Sequence, residues 1–140
     1  MSISGQNLSI VIVTLKSKKV IYDCINSINQ NVPIIVVEQS NNQKFKDELE
    51  SKYKNLKCIL SKSNLGMGTG NNIGIKETKT DYVLILNPDV ILEKNALEKN
   101  TGNFLAFGGK FFALYRKNNS EIVEFSPKDI FWEILTSGHW

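Results

Sequence analysis

The chain reads as an α/β layer protein, a mostly parallel sheet flanked by helices, and three observations predict it. Short apolar runs rich in β-branched residues recur through the first part of the chain: "LSIVIVTL" (8–15), "IIVVEQS" (34–40), "KCIL" (57–60) and "YVLIL" (82–86). Between them lie segments with apolar residues at helical spacing. The runs are continuous rather than alternating, as strands covered on both faces by crossover helices must be.

Each element follows from its residues. After the first run, "KKVIYDCINSINQ" (18–30) places Val20, Ile21, Cys24, Ile25 and Ile28 on one helical face, and Pro33 ends it. After the second, "QKFKDELESKYKNL" (43–56) repeats Phe45, Leu49 and Tyr53 every four residues, which predicts a second helix. "NNIGIKET" (71–78) predicts a third helix before the fourth strand. Beyond Asp89 the pattern changes. "EKNALEKN" suits a short helix, and "FLAF-GG-KFFALYR-KNNS-EIVEF" (104–125) reads as a short β-meander turned at Gly-Gly and Asn-Asn-Ser. "SPKDIFWEIL" opens with a capping Ser126 and Pro127 at the first helical position, so a C-terminal helix is expected.

Composition sets bounds on function. The 140 residues suit a single domain over 1–140, and 41% hydrophobic with 22% charged residues is a globular balance. A domain of this size buries roughly 70% of its unfolded surface. No apolar stretch approaches the ~20 residues that span a bilayer, and "MSISGQN" lacks the features of a secretory leader. The chain is therefore expected to have no transmembrane segment and to be cytoplasmic, free or peripheral at the inner membrane face. The net charge is +3, with Arg116 the one arginine among 17 basic residues, which argues against reading of base edges; no nucleic-acid partner is expected. Cys24 and Cys58 have no partner motif and read as buried thiols. His139 has no second histidine or nucleophile at a useful spacing and reads as a surface residue near the chain end.

Right-handed crossovers would bring the carboxyl ends of all four strands to one edge, where ligands of open α/β sheets bind. That edge collects Thr14, residues 38–42, residues 61–70 and residues 87–89. In "SNLGMGTGNNIG" (63–74), Gly66, Gly70 and Gly74 are spaced to share one helical face and to let backbone approach a sheet or a ligand. Neither the dinucleotide fingerprint nor the P-loop pattern is met, although Asp89 follows Gly66 by 89 − 66 = 23 residues. A glycine-rich turn shaped by packing alone is the alternative. Asp89, after Asn87 and Pro88, is either a solvated turn carboxylate or one protein ligand of a divalent cation shared with a diphosphate. Glu38, at the end of the second run, is either a surface charge or an acceptor for a ribose or base.

"LSIVIVTL", "IIVVEQSNN", "SNLGMGTGNNIGI" and "DYVLILNPDVIL", in this order and at these spacings, resemble the N-terminal half of family 2 glycosyltransferases with the GT-A fold, especially the rhamnosyltransferase-like branch. In that branch the metal-binding acidic motif is often written Asn-Pro-Asp. The resemblance covers roughly residues 8–125 and implies a GT-A-like, Rossmann-type sheet whose edge binds a nucleotide-sugar donor. It implies Thr14 and Glu38 near the nucleoside, Asn64, Gly66, Gly70 and Asn72 with Asn87 along the diphosphate-sugar, and Asp89 on Mg²⁺ or Mn²⁺. Leu15 and Lys16 replace the family's usual aromatic and Asn, and Glu38 with Gln39 replaces its usual Asp motif.

The function expected is metal-dependent, inverting transfer of a sugar to an unidentified saccharide or lipid-linked acceptor. Family members continue into an acceptor-binding half that carries the catalytic base. The present chain reads as truncated before it, and none of Glu121, Glu124, Asp129 and Glu133 sits in a motif that marks a base. A noncatalytic nucleotide-sugar-binding remnant or partner subunit and a dinucleotide-binding oxidoreductase are the rival readings. Phe131 and Trp132 are candidates for a homodimer or partner contact.

Overall fold

The computed structural model describes residues 8–28, 31–92, 112–118 and 121–126. In chain order these form β1 (Leu8–Thr14), α1 (Lys18–Ser27), β2 (Ile34–Glu38), α2 (Gln43–Lys52), β3 (Leu56–Leu60), α3 (Met67–Glu77), β4 (Tyr82–Leu86), β5 (Phe112–Asn118) and β6 (Glu121–Ser126). The sheet runs β3-β2-β1-β4-β5-β6. Its first four strands are parallel, with Ile10 opposite Ile34 and Leu84, and β5 and β6 continue antiparallel from β4.

Burial explains why the strand sequences are runs. All residues of β1 and β2 are buried, because both strands are interior to the sheet and covered on both faces. The edge strand β3 instead exposes Lys57. One face packs Ile10, Ile12 and Val36 against Ile21, Cys24 and Ile25 of α1 and Phe45 and Leu49 of α2. The other packs Val11, Val13 and Val37 with Ile75 of α3. Strands β2 and β3 lie on one side of β1 and β4 on the other, so the direction of winding reverses between β1 and β4. Such a reversal opens a crevice at the carboxyl ends of the two strands that flank it.

The helices depart from expectation at their ends. α1 stops at Ser27, short of residue 30, where Ile28 turns extended and donates to the Ile25 carbonyl. α2 is capped by Asn42, whose side chain accepts from the Phe45 amide, and stops at Lys52. The four residues expected to continue it are drawn toward β3, with Asn55 Nδ2 donating to the Val32 carbonyl at 2.6 Å. α3 begins at Met67, four residues before the start that its apolar spacing predicts. Of the expected meander, β5 and β6 are present, while the strand at 104–107, the C-terminal helix, Phe131, Trp132 and His139 lie outside the described residues. Cys24 and Cys58 are free and buried. Among the described residues, no helix is long and apolar enough to cross a membrane.

Candidate functional site at the carboxyl edge of the sheet

Register brings the strand ends level. Thr14 pairs with Glu38 and Glu38 with Leu60, while Leu86 is opposite Ile12. Each of the polar stretches found in the sequence therefore leaves the sheet on the same side. Thr14 is buried, and its Oγ1 has no hydrogen-bond partner. The chain then turns through Lys16, which takes a left-handed φ of 54° before α1. Four exposed apolar side chains, Leu15, Leu65, Met67 and Ile91, stand in the segments that follow β1, β3 and β4.

Glu38 is buried, and its carboxylate is occupied by its own loop. Oε1 accepts from the Ser40 amide at 2.9 Å and from the Ser40 hydroxyl, and Oε2 accepts from the Asn42 amide at 2.8 Å. Those bonds hold a tight turn through Asn41, at φ 55°, that delivers Asn42 to cap α2. A nucleoside contact from this carboxylate would have to share oxygens already engaged by the turn. The neighbouring Gln39, to which the sequence assigns no role beyond a departure from the family motif, is also buried. Its Oε1 accepts from the Leu65 amide at 2.7 Å, and its Nε2 donates to the Gly66 carbonyl at 3.1 Å.

The glycines of the third segment do different work. Gly66 caps α3 with φ 87° and ψ 169°, a conformation open to glycine and little else. Gly70 and Gly74 share the face expected for them and lie on the sheet. A Cβ on Gly70 would stand 2.9 Å from Val13 Cγ1, and one on Gly74 would stand 2.5 Å from Val11 Cγ1. Close packing thus presses the start of α3 onto β1, while Asn64 and Asn72 remain exposed. Asn64 Oδ1 accepts from the Gly66 amide at 3.0 Å. Asn71, adjacent to the residue chosen from sequence, is buried with an unpartnered Oδ1. Thr14 and Asn71 are the two orphaned buried side-chain oxygens among the described residues, and they sit on neighbouring elements, β1 and α3.

The Asn-Pro-Asp segment is a turn directly after β4, closed by the Val90 amide donating to the Asn87 carbonyl at 3.1 Å. Two side chains of α1 support it. Cys24 Sγ lies 3.7 Å from the Asn87 carbonyl oxygen, and Ser27 Oγ accepts from the Leu92 amide at 3.0 Å. Burial, followed by the negative charge of Asp89, pushes the Cys24 thiol up to about 12. Asp89 itself is exposed just past the carboxyl end of β4. Among the described residues, no three His, Cys, Asp or Glu side chains gather. A single exposed carboxylate fits Mg²⁺ or Mn²⁺ when most of the remaining ligands come from a bound diphosphate and water. A groove of about 390 Å³ at the opposite end of β2 and β3, lined by Asn31, Pro33, Lys54 and Lys57 among others, contains none of these residues.

Comparison with known proteins decides the family. Residues 9–132 match the model of Glycosyl transferase family 2. The chain belongs to this family. An uncharacterized glycosyltransferase of Haemophilus influenzae is 27% identical over 88 residues, covering 61% of this chain and 35% of the relative. The crystal structure of S. aureus TarS 1-349 is 25% identical with a TM-score of 0.57, over 66% of this chain and 30% of that one. The mannosyltransferase PcManGT from Pyrobaculum calidifontis, solved in complex with GDP-Man and Mn²⁺, shares the fold at 12% identity and a TM-score of 0.57, over 65% of this chain and 30% of that one. This family 2 chain therefore has a GT-A-type fold and spans about a third of the length of these relatives.

Proposed function

We propose that this family 2 chain is the donor-binding, N-terminal half of a nucleotide-sugar glycosyltransferase of the rhamnosyltransferase-like branch. The observation that supports the reading is that four sequence-distant segments, at Thr14, 38–42, 64–72 and 87–89, end or follow β1, β2, β3 and β4 on one edge of the parallel sheet. Family membership supports it and favours it over dinucleotide-dependent redox chemistry. GDP-Man and Mn²⁺ in the mannosyltransferase of the same fold point to the class of ligand.

In this reading Thr14 and the loop ordered by Glu38 adjoin the nucleoside. The start of α3, with Asn64, Gly66 and Asn72, faces the diphosphate-sugar, while Gly70, pressed against Val13 and Gln39, seats that turn on the sheet and does not touch the ligand. The unpaired amides of the first turn carry partial positive charge, which favours a phosphate there. Asn87 and Asp89 close the other side, and Asp89 would hold Mg²⁺ or Mn²⁺. When bound, such a cation stabilises the charge that develops on a departing nucleoside diphosphate. The exposed Leu15, Leu65, Met67 and Ile91 supply the apolar lining that small-molecule sites combine with a few polar groups. We assign donor binding to this single domain, and sugar transfer with inversion to its union with an acceptor-binding part or partner chain. A cytoplasmic location, free or at the inner membrane face, accords with a water-soluble donor.

Calorimetry with UDP, dTDP and GDP, with and without Mn²⁺ or Mg²⁺, tests the reading. At least one nucleoside diphosphate should bind in a metal-dependent manner. Asp89→Ala should remove the metal dependence while changing stability by no more than about 0.5 kcal/mol, as for a surface substitution. Equal metal-dependent affinity in both proteins would take Asp89 out of the site. No nucleoside diphosphate binding by the wild-type chain would overturn the proposal as a whole.

A further inference from the structure

We propose that Gln39 is a positioning residue of the donor site, its buried amide latching the loop between β3 and α3 to the end of β2. The proposal rests on the donor-binding reading above and adds to it a residue that makes the site's geometry. Three connections meet at Gln39. Its backbone amide donates to the Thr14 carbonyl at 2.9 Å, tying the end of β2 to the end of β1. Its Oε1 accepts from the Leu65 amide at 2.7 Å, and its Nε2 donates to the Gly66 carbonyl at 3.1 Å, across 26 and 27 residues of sequence.

The carbonyl that Gln39 holds is the one that starts the helix. Gly66 O also accepts from the Gly70 amide at 3.0 Å, the first backbone bond of α3. Gly70 in turn leaves room for the latch, since a Cβ there would stand 3.1 Å from Gln39 Nε2. The loop begins at Ser61, whose amide donates to the Glu38 carbonyl at 3.0 Å, and residues 62–65 between that anchor and Gly66 are exposed. Without the amide, the exposed loop would be held to the end of β2 mainly at its start, and the position of the first turn of α3 relative to Thr14 would loosen.

The chemistry demands an amide. One end must accept from an N–H and the other must donate to a carbonyl, which an ionised carboxylate cannot do and a thioether does far more weakly. Gln39→Glu keeps the shape but sets a carboxylate against the Gly66 carbonyl. Gln39→Met keeps the length and removes both the donor to Gly66 and the amide acceptor of Leu65. The Gln39 side chain is buried with both ends of its amide engaged by the loop, so exchange at Leu65 reports whether a loss of affinity accompanies a loosened loop.

The experiment combines amide hydrogen exchange with nucleoside diphosphate calorimetry on the wild-type chain and both variants. In the wild type the Leu65 amide should be protected although its side chain is exposed. In Gln39→Met, which loses the acceptor, exchange at Leu65 should quicken about ten-fold or more, the consequence of breaking a buried hydrogen bond. Exchange at the core amides of Ile12 and Val36 should stay slow. Affinity for the nucleoside diphosphate should fall by about ten-fold in the same folded samples. An unprotected Leu65 amide in the wild type overturns the latch, whether or not a variant folds. Faster exchange with unchanged affinity overturns its role in positioning. A wild-type chain with a protected Leu65 that binds no nucleoside diphosphate overturns instead the reading on which the proposal rests.

Discussion

Gly74→Ala should destabilise the protein even though alanine is the better helix former. Gly74 lies within α3, where replacing glycine in an open helix position gains about 1 kcal/mol. Here the new methyl would stand 2.5 Å from Val11 Cγ1 and 3.2 Å from Val37 Cγ2, against the roughly 3.5–4.0 Å of an ordinary carbon contact. Val11 and Val37 are fully buried on adjacent interior strands, and branching at Cβ limits their rotation. Relief therefore requires α3 to lift by the order of 1 Å, and overpacking of this kind costs about 1–3 kcal/mol. The net effect is a loss of up to about 2 kcal/mol, or a fall in Tm of several degrees at roughly 4 °C per kcal/mol. Gly68→Ala, with nothing within 4 Å of the new Cβ, should instead raise Tm. Gly66→Ala has the same open space but a φ of 87°, and should lower stability by about 1–2 kcal/mol through its backbone alone. Thermal unfolding of the three variants separates packing, propensity and conformation. A Gly74→Ala protein more stable than wild type would refute the close seating of α3 on the sheet.

Lys16→Asn should stabilise the chain by about 0.5–1 kcal/mol, because Lys16 is exposed at a φ of 54° and asparagine tolerates that region better; denaturant midpoints at constant m-value would show it, and an unchanged midpoint would contradict it. The two thiols give a pH signature. Burial raises both Cys24 and Cys58 from 9.0 to about 12, so the unfolded chain loses these protons first as pH rises. Their contribution to stability is complete below pH 9 and is lost between pH 9 and about 12, so denaturation midpoints should fall across that window and fall less in Cys58→Ala. In the native state at pH 8, neither thiol should react with an alkylating agent at the rate of an exposed cysteine.

How much of this was legible in the sequence depended on whether a feature is local. β4 was read to the residue from "YVLIL", because a short apolar run with β-branched members between polar residues has few other uses in an α/β pattern. The start of α3 was misplaced because its first turn, Met67 to Gly70, contains two glycines that argue against helix by propensity. Those residues are helical because a tertiary requirement wins. Gly70 must lie against Val13 and Gln39, which leaves no space for a side chain. The apolar spacing in "NNIGIKET" reports only the part of the helix that presents side chains to the sheet.

The candidate site divides along the same line. Its location followed from topology, since parallel strands with right-handed crossovers must send their carboxyl ends to one edge. The identity of the working side chains did not follow. Asn71 and Asn72 are indistinguishable as letters, yet one is buried with an unpartnered oxygen and the other is exposed, a difference made by helical phase against the sheet. Glu38 drew attention as an acid at a strand end, but its carboxylate organises the turn that caps α2. Gln39 stood out only as a departure from the family motif, with no role, because its partners lie 26 and 27 residues onward, in a loop that no periodicity announces. An acid followed by an amide at the end of β2 thus performs two backbone tasks in opposite directions along the edge. Glu38 accepts from the segment leading into α2, and Gln39 both accepts from and donates to the segment leading into α3. In the proposed donor site, that second task fixes the loop that leads into α3, which gives the amide at position 39 a part beside the one proposed for the carboxylate at 89.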